Sequence, residues 1–168
     1  MIVATCAVKR KGQAMGTEIE RKFLVVGDAW RESAQGVRYR QGYLSTNKAR
    51  TVRVRIAGDK AFLTIKGATS GIARAEYEYS IPMSDAHELL ERLCEQPIID
   101  KTRYAIACDG LTIEVDEFAG ANAGLIIAEV ELTSITQTFS KPEWLGADVS
   151  HDPRYFNSSL VSHPFTSW

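Results

Sequence analysis

Pairs of like charge recur two residues apart along this chain: Glu18/Glu20, Arg53/Arg55, Glu76/Glu78, Lys101/Arg103, Glu114/Asp116 and Glu129/Glu131. On an extended strand, residues two apart point the same way and lie roughly 6–7 Å from each other. Like charges held that close repel unless something of opposite sign lies between them. Paired carboxylates suit a hard divalent cation, which takes oxygen ligands and keeps several waters. Paired cations suit phosphate oxygens, Arg through its planar fork and Lys as a compact charge. Other chemistries are poorly served. The residues offer no Ser-His-Asp or Cys-His nucleophile, since His87, His151 and His163 fall on a helix or in the tail. Cys6, Cys94 and Cys108 show no metal-ligand spacing, and their odd number reads as reduced thiols in a cytoplasmic chain.

Two arrangements satisfy this pattern. In the first, the charged faces are the solvent faces of a twisted sheet, and the apolar faces meet in a sandwich. In the second, the charged faces turn inward around a ligand and a metal, and the apolar faces turn outward under covering elements. Charges confined in a bore are costly unless compensated, and a cation with a polyanion would compensate both signs. Solvent faces usually mix Thr, Ser, Gln and Lys, which favours the second arrangement. Alternation alone does not choose between them.

The elements that must position these residues follow from period-two alternation. It predicts strands over 18–25, 38–44, 51–56, 61–66, 74–81, 99–108, 111–118 and 125–132. Gly58-Asp59 is a turn signal between the third and fourth. Pro82 closes the fifth, and Ser84 is placed to cap a helix over roughly 85–95, with Leu89, Leu90 and Leu93 at near-helical spacing. The tail after Lys141 is read as irregular or partly helical. Eight antiparallel strands with short connections can close into a barrel wide enough for a small ligand. The expected fold is therefore mainly β with a few covering helices.

The chain has 168 residues and a formal net charge of −1, so it lacks the basic footprint of a nucleic-acid binder. No run of apolar residues reaches membrane-spanning length, and the basic Lys9-Arg10-Lys11 follows rather than precedes the apolar start, unlike a secretory signal. Residues 1–14 are read as a flexible extension and 15–168 as one domain. A homodimer is left open.

Glu18-Ile19-Glu20-Arg21-Lys22 forms an ExExK element. With it, in order, come Tyr39-Arg40-Gln41-Gly42-Tyr43-Leu44, Arg53-Val54-Arg55, Thr64-Ile65-Lys66-Gly67 and Glu76-Tyr77-Glu78-Tyr79. Lys101-Thr102-Arg103-Tyr104, Glu114-Val115-Asp116, Glu129-Val130-Glu131 and the run from Asp152 to Leu160 complete the set. This set resembles the CYTH family, also called triphosphate tunnel metalloenzymes. The resemblance implies a closed eight-stranded antiparallel barrel that takes an extended triphosphate and Mg²⁺ or Mn²⁺. It assigns the metal to Glu18, Glu20, Glu129 and Glu131, and the phosphates to Lys22, Arg53, Arg55, Lys66, Lys101 and Arg103. Glu20, Lys22, Glu78 and Asp116 are the candidate catalytic residues. Glu76, Glu78, Glu114 and Asp116 either orient the cations or hold a second metal or the attacking water. The facing of Arg38, Arg40 and Arg74 stays open, and Asp148 stands where similar proteins often carry Glu. The implied reaction is in-line attack of water on a terminal phosphorus of inorganic tripolyphosphate. Adenylate cyclase, nucleoside or thiamine triphosphatase, and a non-catalytic polyphosphate-binding module are the alternatives.

Overall fold

The computed structural model describes residues 17–33 and 35–168; the extension expected over 1–14 lies outside them. Eight strands form where alternation places them: β1 (Thr17–Val25), β2 (Gly36–Ser45), β3 (Arg50–Ala57), β4 (Lys60–Gly67), β5 (Ala73–Ser80), β6 (Ile99–Cys108), β7 (Leu111–Phe118) and β8 (Ile126–Glu131). They are hydrogen-bonded in the order β5-β4-β3-β2-β6-β7-β8-β1, every pair antiparallel. Pairing of β1 with β5 closes the barrel through Thr17↔Ala75, Glu18↔Arg74 and Ile19↔Ala73. Two-residue turns join β3 to β4 and β6 to β7. Asp109 and Gly110 both take positive φ, 48° and 75°, as the primed turns of twisted hairpins require.

A ninth strand, β9 (Leu145–Asp148), was not expected from the sequence. It pairs with β1 through Phe23↔Asp148 and Val25↔Leu145, on the edge that β5 occupies at the other end of β1. Leu-Gly-Ala-Asp is too short and too small-sided to show alternation, so only the partner reveals it.

The two faces of the sheet differ as the second arrangement demands. Outward side chains of β1, β6, β7 and β8 form one apolar cluster that includes Phe23, Ile113, Val115, Ala128 and Val130. Trp30, in a short 3₁₀ turn after β1, and Leu145 of β9 cover it. Outward side chains of β3 and β4 (Val54, Ile56, Ala61) pack under helix α1 (Met83–Arg92). The helix starts earlier than expected and without a side-chain cap: Pro82 holds the cap position, and the Ser84 hydroxyl donates to Asp85 instead. Its buried stripe is Ala86 and Leu90, continued by Cys94 just past its end, while Leu93 is 64% exposed. This stripe sits so close to β2 that a Cβ on Gly42 would lie 2.7 Å from that of Cys94, so only glycine fits. Among the described residues no helix is long and apolar enough to cross a membrane.

Candidate active site

With the apolar faces turned out, the charged faces meet inside. A cavity of about 1090 Å³ occupies the barrel, and Glu18, Glu20, Lys22, Arg53, Arg55, Lys66, Glu78, Arg103, Glu129 and Glu131 all line it. Lys101 and Asp116, also among the predicted residues, do not: at 2% and 0% exposure they lie behind Arg103. Arg74, whose facing spacing left open, joins the lining, whereas Arg38 points outward to Asp100. Asp148 is outside the bore, where it accepts from Arg21 and from Ser150.

Each buried cation of the wall is held by a carboxylate. At the closure between β1 and β5, Glu18 accepts from Lys66 Nζ at 2.9 Å and from Arg74 Nε at 2.7 Å. Burial would raise the Glu18 carboxyl, but Lys66 and Arg74 hold it well below the usual carboxylate range. Burial in turn lowers the Lys66 ammonium, against the pull of Glu18. Across β3, β4 and β5, Glu78 Oε2 accepts from Arg55 Nη2 at 2.9 Å and from Thr64 Oγ1 at 2.9 Å, with Arg53 Nη2 at 3.5 Å. Deeper in, Arg103 forks onto Asp116 with two bonds of 2.6 Å and also reaches Glu114 and Glu129. Lys101 donates to the same Asp116. Burial pushes Lys101 down to about 8, an effect that Asp116 opposes and Arg103 adds to.

Two kinds of group are left short. The first is a set of orphaned donors. Nε of Arg53 and Nε of Arg55 are buried with no hydrogen-bond partner, and so is the amide of Gln41, which pairs with Arg55 in register. Buried N–H groups without acceptors are uncommon and call for an oxygen-rich ligand or water. The second is an excess of negative charge where β1 meets β8. Glu20 lies opposite Glu131, and Lys22 lies opposite Glu129. Lys22 Nζ bonds Glu20 at 2.6 Å and also Glu129, which outweighs the effect of burial and raises its ammonium. The Glu20 carboxyl is pushed up by burial first and then by repulsion from Glu129 and Glu18. A cation would relieve that repulsion.

Among the described residues no three His, Cys, Asp or Glu side chains form a ready-made metal cage. The donor set nonetheless fits a hard divalent ion: carboxylates on neighbouring strands, one of them repelled by its neighbours, around space that admits water. Sequence reasoning did not find Ser150, whose Oγ accepts from the backbone N–H of Lys22 at 2.9 Å, or a role for Asn157. Both come from the tail, where no alternation signals a face.

Comparison with known proteins agrees with this geometry. The CYTH domain matches residues 16–163. The inorganic triphosphatase of Acetivibrio thermocellus is 53% identical over 154 residues, covering 92% of this chain and 99% of that protein. The inorganic triphosphatase of Nitrosomonas europaea is 40% identical over 149 residues, covering 86% and 97%. Among solved structures, the inorganic triphosphatase NE1496 superposes with a TM-score of 0.61 at 36% identity, over 89% of this chain and 97% of that one. A putative adenylate cyclase from Bacillus halodurans, 16% identical with a TM-score of 0.57 over 71% of this chain and 83% of that one, shares the fold. An inward ring of carboxylate-held cations inside a closed antiparallel barrel, matched along nearly the whole chain, places this protein in the CYTH-domain family.

Proposed function

We propose that the chain is an inorganic triphosphatase, using water to split tripolyphosphate into pyrophosphate and orthophosphate with Mg²⁺ or Mn²⁺. The observation that carries this reading is the set of buried guanidinium Nε groups that lack acceptors inside a cavity otherwise lined by paired charges. The names of relatives at 53% and 40% identity support it. Overall, P₃O₁₀⁵⁻ and H₂O give P₂O₇⁴⁻ and H₂PO₄⁻, so atoms and charge balance.

Lys22, Arg53, Arg55, Lys66 and Arg103 bind and orient the phosphates, with Arg74 beside Lys66, while Lys101 lies behind Arg103 and shares its Asp116 anchor. Their unused donors, the Nε groups of Arg53 and Arg55 among them, meet phosphate oxygens, and their charge neutralises that building on the transferring and leaving groups. Glu78 and Asp116 hold Arg55 and Arg103 at fixed positions before substrate enters, so little reorganisation remains for the chemical step. Glu18, Glu20, Glu129 and Glu131 would hold the divalent cation, which supplies Lewis-acid polarisation and eases ionisation of the attacking water.

Incubation with tripolyphosphate, ATP or thiamine triphosphate, each with Mg²⁺ or Mn²⁺, tests the assignment. Orthophosphate released fastest from tripolyphosphate is the expected result. Cyclic AMP from ATP would make the chain a cyclase, preferential hydrolysis of either organic triphosphate would move it to that substrate, and binding without turnover would end the enzymatic reading.

A further inference from the structure

The bore has unlike ends. Where β6 begins and β7 ends, helix α2 (Ser159–Ser162) drives Leu160 and Val161 between the inward side chains Tyr43, Ile99, Phe118 and Ile127. Leu160 is fully buried there. The wedge is latched from beyond the barrel. Asn122, itself 1% exposed, accepts from the Phe165 backbone N–H at 2.8 Å, and its amide reaches the Leu160 carbonyl at 3.4 Å. The opposite mouth, at the β3–β4 and β6–β7 turns, carries Lys60, Ser80 and Thr112 beside Phe62 and Leu111.

The segment that leads into α2, Phe156-Asn157-Ser158, forms part of the cavity wall. Its amide-bearing residue is Asn157. Asn157 Oδ1 accepts from Lys101 Nζ, and Asn157 Nδ2 donates to Glu129 Oε1, each at 3.4 Å. Both contacts are long, so the amide is loosely engaged. Glu129 turns to the cation when one enters, and the amide then has an N–H free for a phosphate oxygen. A neutral amide is suited to this end of the bore. It adds no charge to repel the substrate, and one side can stay on Lys101 while the other turns to the ligand.

We propose that Asn157 is the depth stop of the bore, a specificity-determining residue that meets the unesterified terminal phosphate of a linear polyphosphate. It thereby sets which phosphoanhydride bond lies beside the carboxylates of β1 and β8. The inner end of the substrate halts at Asn157 because α2 fills the space beyond, while the outer end is free to extend toward the open mouth. This rests on the triphosphatase reading above.

Tetrapolyphosphate reports the register directly. Terminal cleavage gives tripolyphosphate and orthophosphate, and central cleavage gives two pyrophosphates. The full-length protein with Mg²⁺ is mixed in excess over tetrapolyphosphate, and the first products are resolved by ³¹P NMR. The expected result is one split from the wild type and both splits from Asn157→Ala, with Asn157→Ser restoring the single split. Asn157→Asp, which keeps the side-chain shape, is expected to weaken calorimetric binding of pyrophosphate on the order of tenfold through like-charge repulsion. It also covers the case in which the alanine variant fails to fold. Unchanged product ratios and unchanged pyrophosphate affinity in these variants would overturn the depth stop, as would a wild type that makes both splits. A wild type that binds pyrophosphate but turns over no tripolyphosphate would instead overturn the triphosphatase reading, leaving the Asn157→Asp binding comparison to decide the stop.

Discussion

Asp116 is a wall residue whose loss can be worked through from the structure. It is wholly buried, accepts two bonds of 2.6 Å from Arg103, and also takes the Lys101 ammonium. Asp116→Asn keeps the shape and removes the charge. Lys101 then has no carboxylate hydrogen-bonded to it, whereas Arg103 retains Glu114 and Glu129. Removing one partner of a buried ion pair costs about 3–5 kcal/mol, because the charge left behind stays out of water. For a chain of this length each kcal/mol lowers Tm by about 2–4 °C, so the variant should melt about 6–20 °C below the wild type. Pyrophosphate at about 100 times its Kd adds about 2.7 kcal/mol to each protein, so it raises all the melting points without closing the gap. Glu88→Gln is the control. It breaks the exposed i, i+4 pair with Arg92, where the expected cost is about 0.5 kcal/mol or less. Differential scanning calorimetry with and without pyrophosphate reads all three proteins. If Asp116→Asn melts with the control, the wall is not held by charge pairing and the reasoning fails.

Other expectations follow from the same geometry. Glu20→Gln should lower Mg²⁺-dependent kcat at least about 100-fold while leaving the melting temperature near that of the wild type; ordinary turnover would remove Glu20 from the cation site. Arg55→Ala and Lys66→Ala should each raise KM for tripolyphosphate about tenfold or more, the scale of one lost charge-assisted hydrogen bond, and an unmoved KM would take that residue off the phosphate track. Burial brings Lys101 down to about 8, so its positive charge is present below that pH and disappears as pH rises through it. The kcat/KM profile should therefore fall above about pH 8, and Lys101→Arg should extend the plateau to higher pH; a wild-type profile flat to pH 10 would contradict this.

Much of this site was legible in the sequence because charge and alternation share a period. Glu18, Glu20 and Lys22 fall in one phase and Ile19, Phe23 and Val25 in the other, so deciding one residue's face decides the strand. Alternation left open only which face turned in, and the clusters under α1 and Trp30 answer that. Arg74 was harder because small alanines at 73 and 75 give its neighbours no apolar phase; its register with Glu18 is set by closure, which is not local. Lys101 and Asp116 share the phase of Arg103 and Glu114, yet lie deeper than the open cavity. Depth along a bore depends on the stagger between strands, and a single strand's pattern does not encode it. Ser150 and Asn157 arrive from a tail whose conformation is fixed only by what it packs against. On the helix, Leu89 and Leu90 face the core as expected and only Leu93 turns out; Cys94 takes the place beside Gly42, where the close approach leaves no room for a larger side chain.

The position of β1 in the sheet bears on how the molecule comes together. Its hydrogen-bonding partners lie at residues 73–75, 127–131 and 145–148, all far downstream. A chain synthesised from its N-terminus makes this strand early, meets its first partner in β5, and lacks β8 and β9 until most of the chain exists. The hairpins from β2 to β5 and from β6 to β8 can form from nearby contacts, whereas β1 must wait for loop closures of more than fifty residues. The Glu18-Ile19-Glu20-Arg21-Lys22 segment therefore precedes its β8 partners by more than a hundred residues, so the capacity to gather a cation between the two strands cannot arise before β8 is made.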